Sequence, residues 1–253
     1  RRRTLALALH ALPLLWWQWT ATVRDVVAAD GEPSTEAAYY EPLVAELERR
    51  AGDDPIRIEI PPTRSRWEAA YVAPSVPLAR GWLRQLESDD FDLFTGAELD
   101  AGSYGEWLYL NGVSHVALHD AAPDALAEDE VELIDRGGLP YLRPVWSNEH
   151  WRLFEVRAFD GSRGPRGAFL ASGGAVVTEL GPDRFTVEVP GPGEYLLNLR
   201  HSPYFDVVSG EACVEDAGDA HSRLTVEGAG PQTIEVRASF GIDGLLRRSQ
   251  ACS

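Results

Sequence analysis

A run of twenty residues without formal charge, Thr4 to Val23 (TLALALHALPLLWWQWTATV), follows Arg1-Arg2-Arg3 and precedes Arg24-Asp25. At about 1.5 Å per helical residue such a run spans roughly 30 Å, the thickness of a bilayer's hydrocarbon core. Arginines at one end and Trp16, Trp17 and Trp19 near the other fit the positive-inside bias and the interfacial aromatic belt. The run therefore predicts a transmembrane helix with its flank over residues 1–29. It makes a lipid bilayer the first expected partner and puts the rest of the chain on the extracytoplasmic side of a cell membrane. Two other readings stay open. One is a cleaved signal peptide ending near Val27-Ala28-Ala29. The other is a buried core helix, since His10, Pro13 and Gln18 interrupt the apolar run.

The chain has no methionine, even at position 1, which suggests the C-terminal piece of a larger membrane protein. Beyond residue 29 there is enough chain for two modest cores. A net charge of −17 argues against nucleic acid, because phosphate binding needs a concentrated basic face. All 23 basic residues are arginine, a bias attributed to genomic base composition. Residues 87–135 hold fourteen carboxylates and no arginine, which reads as a solvated acidic face. No D-x-D-x-D-G loop marks a calcium site, so no cofactor is expected in this part of the protein. Cys213 and Cys252 are the only cysteines. Outside the cytoplasm they are a possible disulfide, although two free thiols fit the spacing as well.

Hydrophobic period divides the rest. Ser34 is placed to cap a helix over Thr35–Arg50, and Ile56-Arg57-Ile58-Glu59-Ile60 alternates as a half-buried strand ended by Pro61-Pro62. A helix over Ser103–Asn111 closes at Gly112, a strand covers Val113–Leu118, and an acidic helix covers Ala125–Arg136. Strands at Tyr141–Trp146 and Trp151–Val156 complete a small α/β sandwich, the extracytoplasmic domain over residues 30–158. Residues 159–167 are a Gly/Pro-rich linker. In residues 168–253 the helical period gives way to seven short alternating runs: 175–180, 184–189, 194–201, 205–208, 212–215, 223–227 and 233–239. Turn signals such as Gly191-Pro192-Gly193 separate them, which predicts an antiparallel β-sandwich. The expected fold class is thus α/β plus all-β behind one membrane helix.

Catalytic signatures are absent: there is no G-x-S-x-G, P-loop, H-E-x-x-H or C-x-x-C. His115 and His119, four apart beside Asp120, have a spacing a metal could use, but two imidazoles on a strand are more often packed or solvated, and no metal site is assigned. His150, His201 and His221 lie far from any candidate nucleophile in sequence. The segment Thr63–Glu87 is dense in aromatic, arginine and acidic residues around Pro74 and Pro77. Arg64, Arg66, Trp67, Glu68, Tyr71, Arg80, Trp82, Arg84 and Gln85 supply aromatic faces for a sugar ring and polar forks for its hydroxyls or phosphate. They are the candidate glycan-binding residues. The alternative is that the rings are core and the arginines balance the acidic stretch.

Four runs carry a resemblance: W-E-A-A-Y-V-A-P (67–74), P-L-A-R-G-W-x-R-Q-L (77–86), Y-x-x-W-L-x-x-N-G-V-x-x-V-A-L (104–118) and H-W-R-L-F-E-V (150–156). Over roughly residues 1–215 the chain resembles the tails of actinobacterial multi-pass membrane proteins. These are similar to the GT-C class of glycosyltransferases, and some carry a label related to pyruvoyl-tetrahydropterin synthase. S-P-Y-F (202–205) looks like a strand-end motif of the β-sandwich tails in that group. The resemblance implies a polyprenyl-phosphate-linked sugar donor and a catalytic carboxylate upstream of Arg1. No residue of this chain inherits a catalytic role. Two alternatives remain: a non-catalytic cell-envelope binding or assembly module, or a secreted enzyme with residues 1–29 as signal peptide.

Overall fold

The structure, a computed structural model, describes residues 2–51, 55–81, 93–94, 99–157, 170–218, 221–239 and 252. The expected linker, together with Trp82, Arg84 and Gln85, lies outside the described residues. The chain is a mixed α/β protein with three sheets, predominantly antiparallel.

The apolar N-terminal run is one continuous helix, α1 (Arg2–Ala29), with Pro13 inside it. Every described side chain from Pro13 to Val27 is exposed, including Trp16 (76 %) and Trp17 (74 %). With these side chains in solvent, the buried-core reading of this part of the helix fails. The expected transmembrane span is not supported either, because no helix among the described residues is long and apolar enough to cross a membrane. The sequence shows why: His10, Pro13 and Gln18 dilute the leucines, and the three tryptophans are only weakly hydropathic.

The first sheet joins β1 (Ile58–Glu59), β2 (His115–His119), β3 (Leu142–Ser147) and β4 (Trp151–Val156) in the order β1-β2-β4-β3. β1 and β2 run parallel and the other pairs antiparallel. Pro144, which has no N–H to give a ladder, sits in the edge strand β3. Helix α2 (Ala37–Ala51) buries Tyr39, Tyr40, Leu43 and Leu47 in one cluster with Ile58, Trp151 and Leu153. Ser34 does not cap α2. A 3-10 turn over Pro33–Thr35 intervenes, and the Ser34 hydroxyl meets Ser65 Oγ at 2.9 Å instead. A short helix α3 (Glu68–Tyr71) follows β1. Helices α4 (Ala101–Leu110) and α5 (Glu128–Arg136) lie on a second cluster with Tyr104, Leu108, Val116, Leu118 and Ile134. Asp100 begins α4 with a capping box, its carboxylate accepting from the N–H groups of Gly102 and Ser103 at 2.8 Å each.

Strict alternation predicts Arg57 and Glu59 on a wet face, yet both are buried. A buried charge persists only when paired and hydrogen-bonded, and each finds partners. Arg57 donates to the carbonyls of Asn111 (2.6 Å) and Asn198 (2.8 Å), which ties the first sheet's surroundings to the β-rich remainder. His221 Nε2 against Leu110 O (2.9 Å) adds a second tie. Glu59 meets Arg80, described below.

The remaining strands are β5 (Val176–Leu180), β6 (Arg184–Val189), β7 (Gly193–Leu197), β8 (Phe205–Ser209), β9 (Ala212–Gly218), β10 (His221–Val226) and β11 (Gln232–Ala238). They form two sheets, β7-β10-β9 and β5-β6-β11-β8. Alternate residues of both sheets enter one core: Val177, Phe185, Val187, Tyr195, Leu197, Val214, Leu224, Ile234 and Val236. That is the two-layer arrangement the alternation predicts. Cys213 on β9 is disulfide-bonded to Cys252, with Cα atoms 5.6 Å apart.

Candidate functional site

The loop after β1 forms an open concavity of about 660 Å³ lined by Arg64, Ser65, Arg66, Trp67, Ala69 and Ala70. Hydroxyl groups fix its shape. Ser65 Oγ contacts Ser34 Oγ (2.9 Å) and Thr63 Oγ1 (3.0 Å), and Thr63 Oγ1 in turn donates to Glu68 (2.8 Å). The N–H of Arg66 donates to Thr63 Oγ1 at 2.9 Å. Arg66 itself sits at φ 58°, alone among the described non-glycine residues in having a positive φ. Such a backbone costs on the order of 1 kcal/mol or more and persists where its surroundings over-determine it. Here the surroundings include Asp124, whose carboxylate takes the Arg66 guanidinium at 2.5 Å (Nη2) and 3.2 Å (Nε).

Trp67 lies 44 % exposed on this loop. One face stacks on Tyr71, with centroids 5.5 Å apart and planes at 22°. Tyr71 contacts Tyr40 (5.3 Å), and Tyr40 contacts the fully buried Trp151 (5.6 Å). A line of aromatic rings therefore runs from the core to the surface and backs one face of the Trp67 indole.

The structure separates the predicted binding residues. Arg66, Trp67 and Tyr71 come together at the loop. Glu68 is interior and bound to Thr63, and Arg80 is interior in a different cluster. Arg80 donates to Glu59 and Glu130, and Tyr104 Oη donates to Glu130 at 2.9 Å. Its guanidinium lies 3.6 Å from the Phe94 ring centroid and 5.2 Å from that of Trp107. Arg80 thus holds together β1, α4 and α5 and does not line the concavity. Asp124 was not legible as part of the site, since it is fifty-eight positions from Arg66 and belongs to the acidic stretch.

Burial lifts the Glu68 carboxyl above its ordinary pKa, against hydrogen bonds from its own backbone N–H and from Thr63 that act the other way. The folded state therefore holds that proton to higher pH than the unfolded chain. The resulting stabilisation is complete below the unfolded value and lost as pH rises through the folded one. Glu68→Gln is expected to be more stable than the parent at neutral pH and to lose this part of the pH dependence. Urea unfolding from about pH 4 to about pH 8 checks it, and an unchanged slope would contradict it.

A second cleft of about 500 Å³ runs along the end of β2 and β4. Asp120 accepts from Tyr39 Oη (2.8 Å) and contacts His150 Nδ1 (3.0 Å), while its N–H continues the ladder to His150 O (3.0 Å). Burial opposes ionisation of Asp120, but the His150 and Tyr39 hydrogen bonds prevail and hold its pKa below the usual range. Among the described residues that line this cleft none carries a hydroxyl or thiol side chain. The Asp120–His150 pair ties the end of β2 to the start of β4. His115 and His119 are buried, and both ring nitrogens of His119 face carbonyl oxygens, of Ala121 (3.0 Å) and Pro61 (2.8 Å). Burial keeps the His119 pKa low despite those two contacts. Among the described residues no group of three or more His, Cys, Asp or Glu is placed to hold a metal ion.

Compared with known proteins, the chain matches no protein-family model, no curated protein and no solved structure.

Proposed function

We propose that this chain is the extracytoplasmic part of a membrane-associated, glycosyltransferase-like protein and that its own task is to hold a saccharide on the Trp67 surface. The observation that carries the reading is an exposed indole, stacked on one side and open on the other, in a concavity with two arginines. An open aromatic face suits the apolar side of a pyranose, and guanidinium forks suit its oxygen atoms. The disulfide favours an oxidising compartment. Leu14, Leu15, Trp16, Trp17 and Trp19, all exposed on α1, present a surface suited to the lipid interface. Chemistry on a polyprenyl-phosphate-linked sugar would be supplied by residues outside this chain.

Trp67→Ala is expected to weaken saccharide binding by about tenfold or more, while changing folding stability by no more than about 1 kcal/mol. A glycan array followed by calorimetric titration measures the first, and urea unfolding the second. Undiminished binding by the variant would reject the reading. A large stability loss without loss of binding would make Trp67 a packing residue.

A further inference from the structure

The charges around Trp67 indicate which saccharides fit. In a chain with 40 acidic and 23 basic residues, the described residues that line the concavity include two arginines and no carboxylate. The two differ. The Arg66 charge is matched by Asp124, itself 7 % exposed, at 2.5 Å. Arg64 is exposed, and among the described residues its guanidinium makes no ion pair. Only its main chain is fixed, the N–H donating to Ala122 O at 2.9 Å. A neutral sugar offers this cation only hydroxyl dipoles, whereas a carboxylate or phosphate on the ring can take the guanidinium fork in a charge-matched bidentate contact.

We infer that the ligand of the Trp67 surface is an anionic saccharide, a uronate or a sugar phosphate, with the ring against Trp67 and the anionic group on Arg64. This rests on the saccharide reading above. The test is calorimetric titration of the full chain, Arg64→Gln and Trp67→Ala with three probes: trigalacturonate, glucose 1-phosphate and neutral cellotriose. The parent is expected to bind at least one anionic probe about tenfold more tightly than cellotriose, less so at high salt. Arg64→Gln is expected to erase that preference, weakening the anionic probe about tenfold more than it weakens cellotriose. Preference for trigalacturonate alone identifies a carboxylate, and preference for glucose 1-phosphate alone a phosphate. If Trp67→Ala abolishes binding but Arg64→Gln leaves the preference intact, the anionic assignment is wrong and the saccharide reading survives. If Trp67→Ala has no effect, or no probe binds the parent, both fail.

Discussion

Arg80→Ala is expected to lower the unfolding free energy by about 3–5 kcal/mol, the largest effect of any single substitution considered for this chain. The arginine is 10 % exposed and faces Glu59 and Glu130, which are 1 % and 0 % exposed. Removing one partner of a buried ion cluster leaves carboxylates in a medium that solvates them poorly, and that penalty exceeds what the intact cluster contributes. Packing is lost as well, because the guanidinium covers the Phe94 ring at 3.6 Å. Arg80→Lys keeps the charge but lacks the planar fork that reaches both carboxylates, so its loss should be intermediate. Urea unfolding followed by circular dichroism orders the three proteins. Arg80→Ala within about 1 kcal/mol of the parent would mean that the cluster is not a structural centre.

Opening the Cys213–Cys252 bridge is expected to cost about 4 kcal/mol on the chain-entropy model for a loop of this length, within a usual range of about 2–5 kcal/mol. The sequence separation is 39, and the bridge fastens Cys252 beside β9, an edge strand of its sheet. The loss should fall on the β-rich part of the chain and leave the first sheet folded, because the two parts have separate cores. Comparison of the Cys213→Ser/Cys252→Ser double variant with the parent measures the size of the effect. Amide hydrogen exchange locates it, with faster exchange expected in β9 and β10. A loss under about 1 kcal/mol would show that the reduced chain is already held by its core.

Elements with a strong hydrophobic period were readable from sequence. All seven strands expected after residue 168 are present within a few residues, because alternation at period two decides which side chains enter a shared core. The helix over Ser103–Asn111 was legible for a similar reason, its apolar face and Gly112 marking it, although the cap at Asp100 was not foreseen. Pattern failed where tertiary partners override it. Nothing local distinguishes Arg57 and Glu59 from wet strand residues, since the groups that neutralise them come from Asn111, Asn198 and Arg80. The candidate site was legible in part for the same reason. Trp67 and Arg80 share one aromatic and basic segment, and only the fold sends the first to the surface and the second inside. The tie among Tyr39, Asp120 and His150 joins three separate elements and leaves no mark in any of them.

The most direct measurement is a crystal structure of the full chain soaked with the tightest-binding oligosaccharide. Density for a sugar ring lying flat on the open face of Trp67, within about 4 Å of the indole, is the expected result. A sugar bound elsewhere, with the Trp67 face bare, would contradict the assignment of the site.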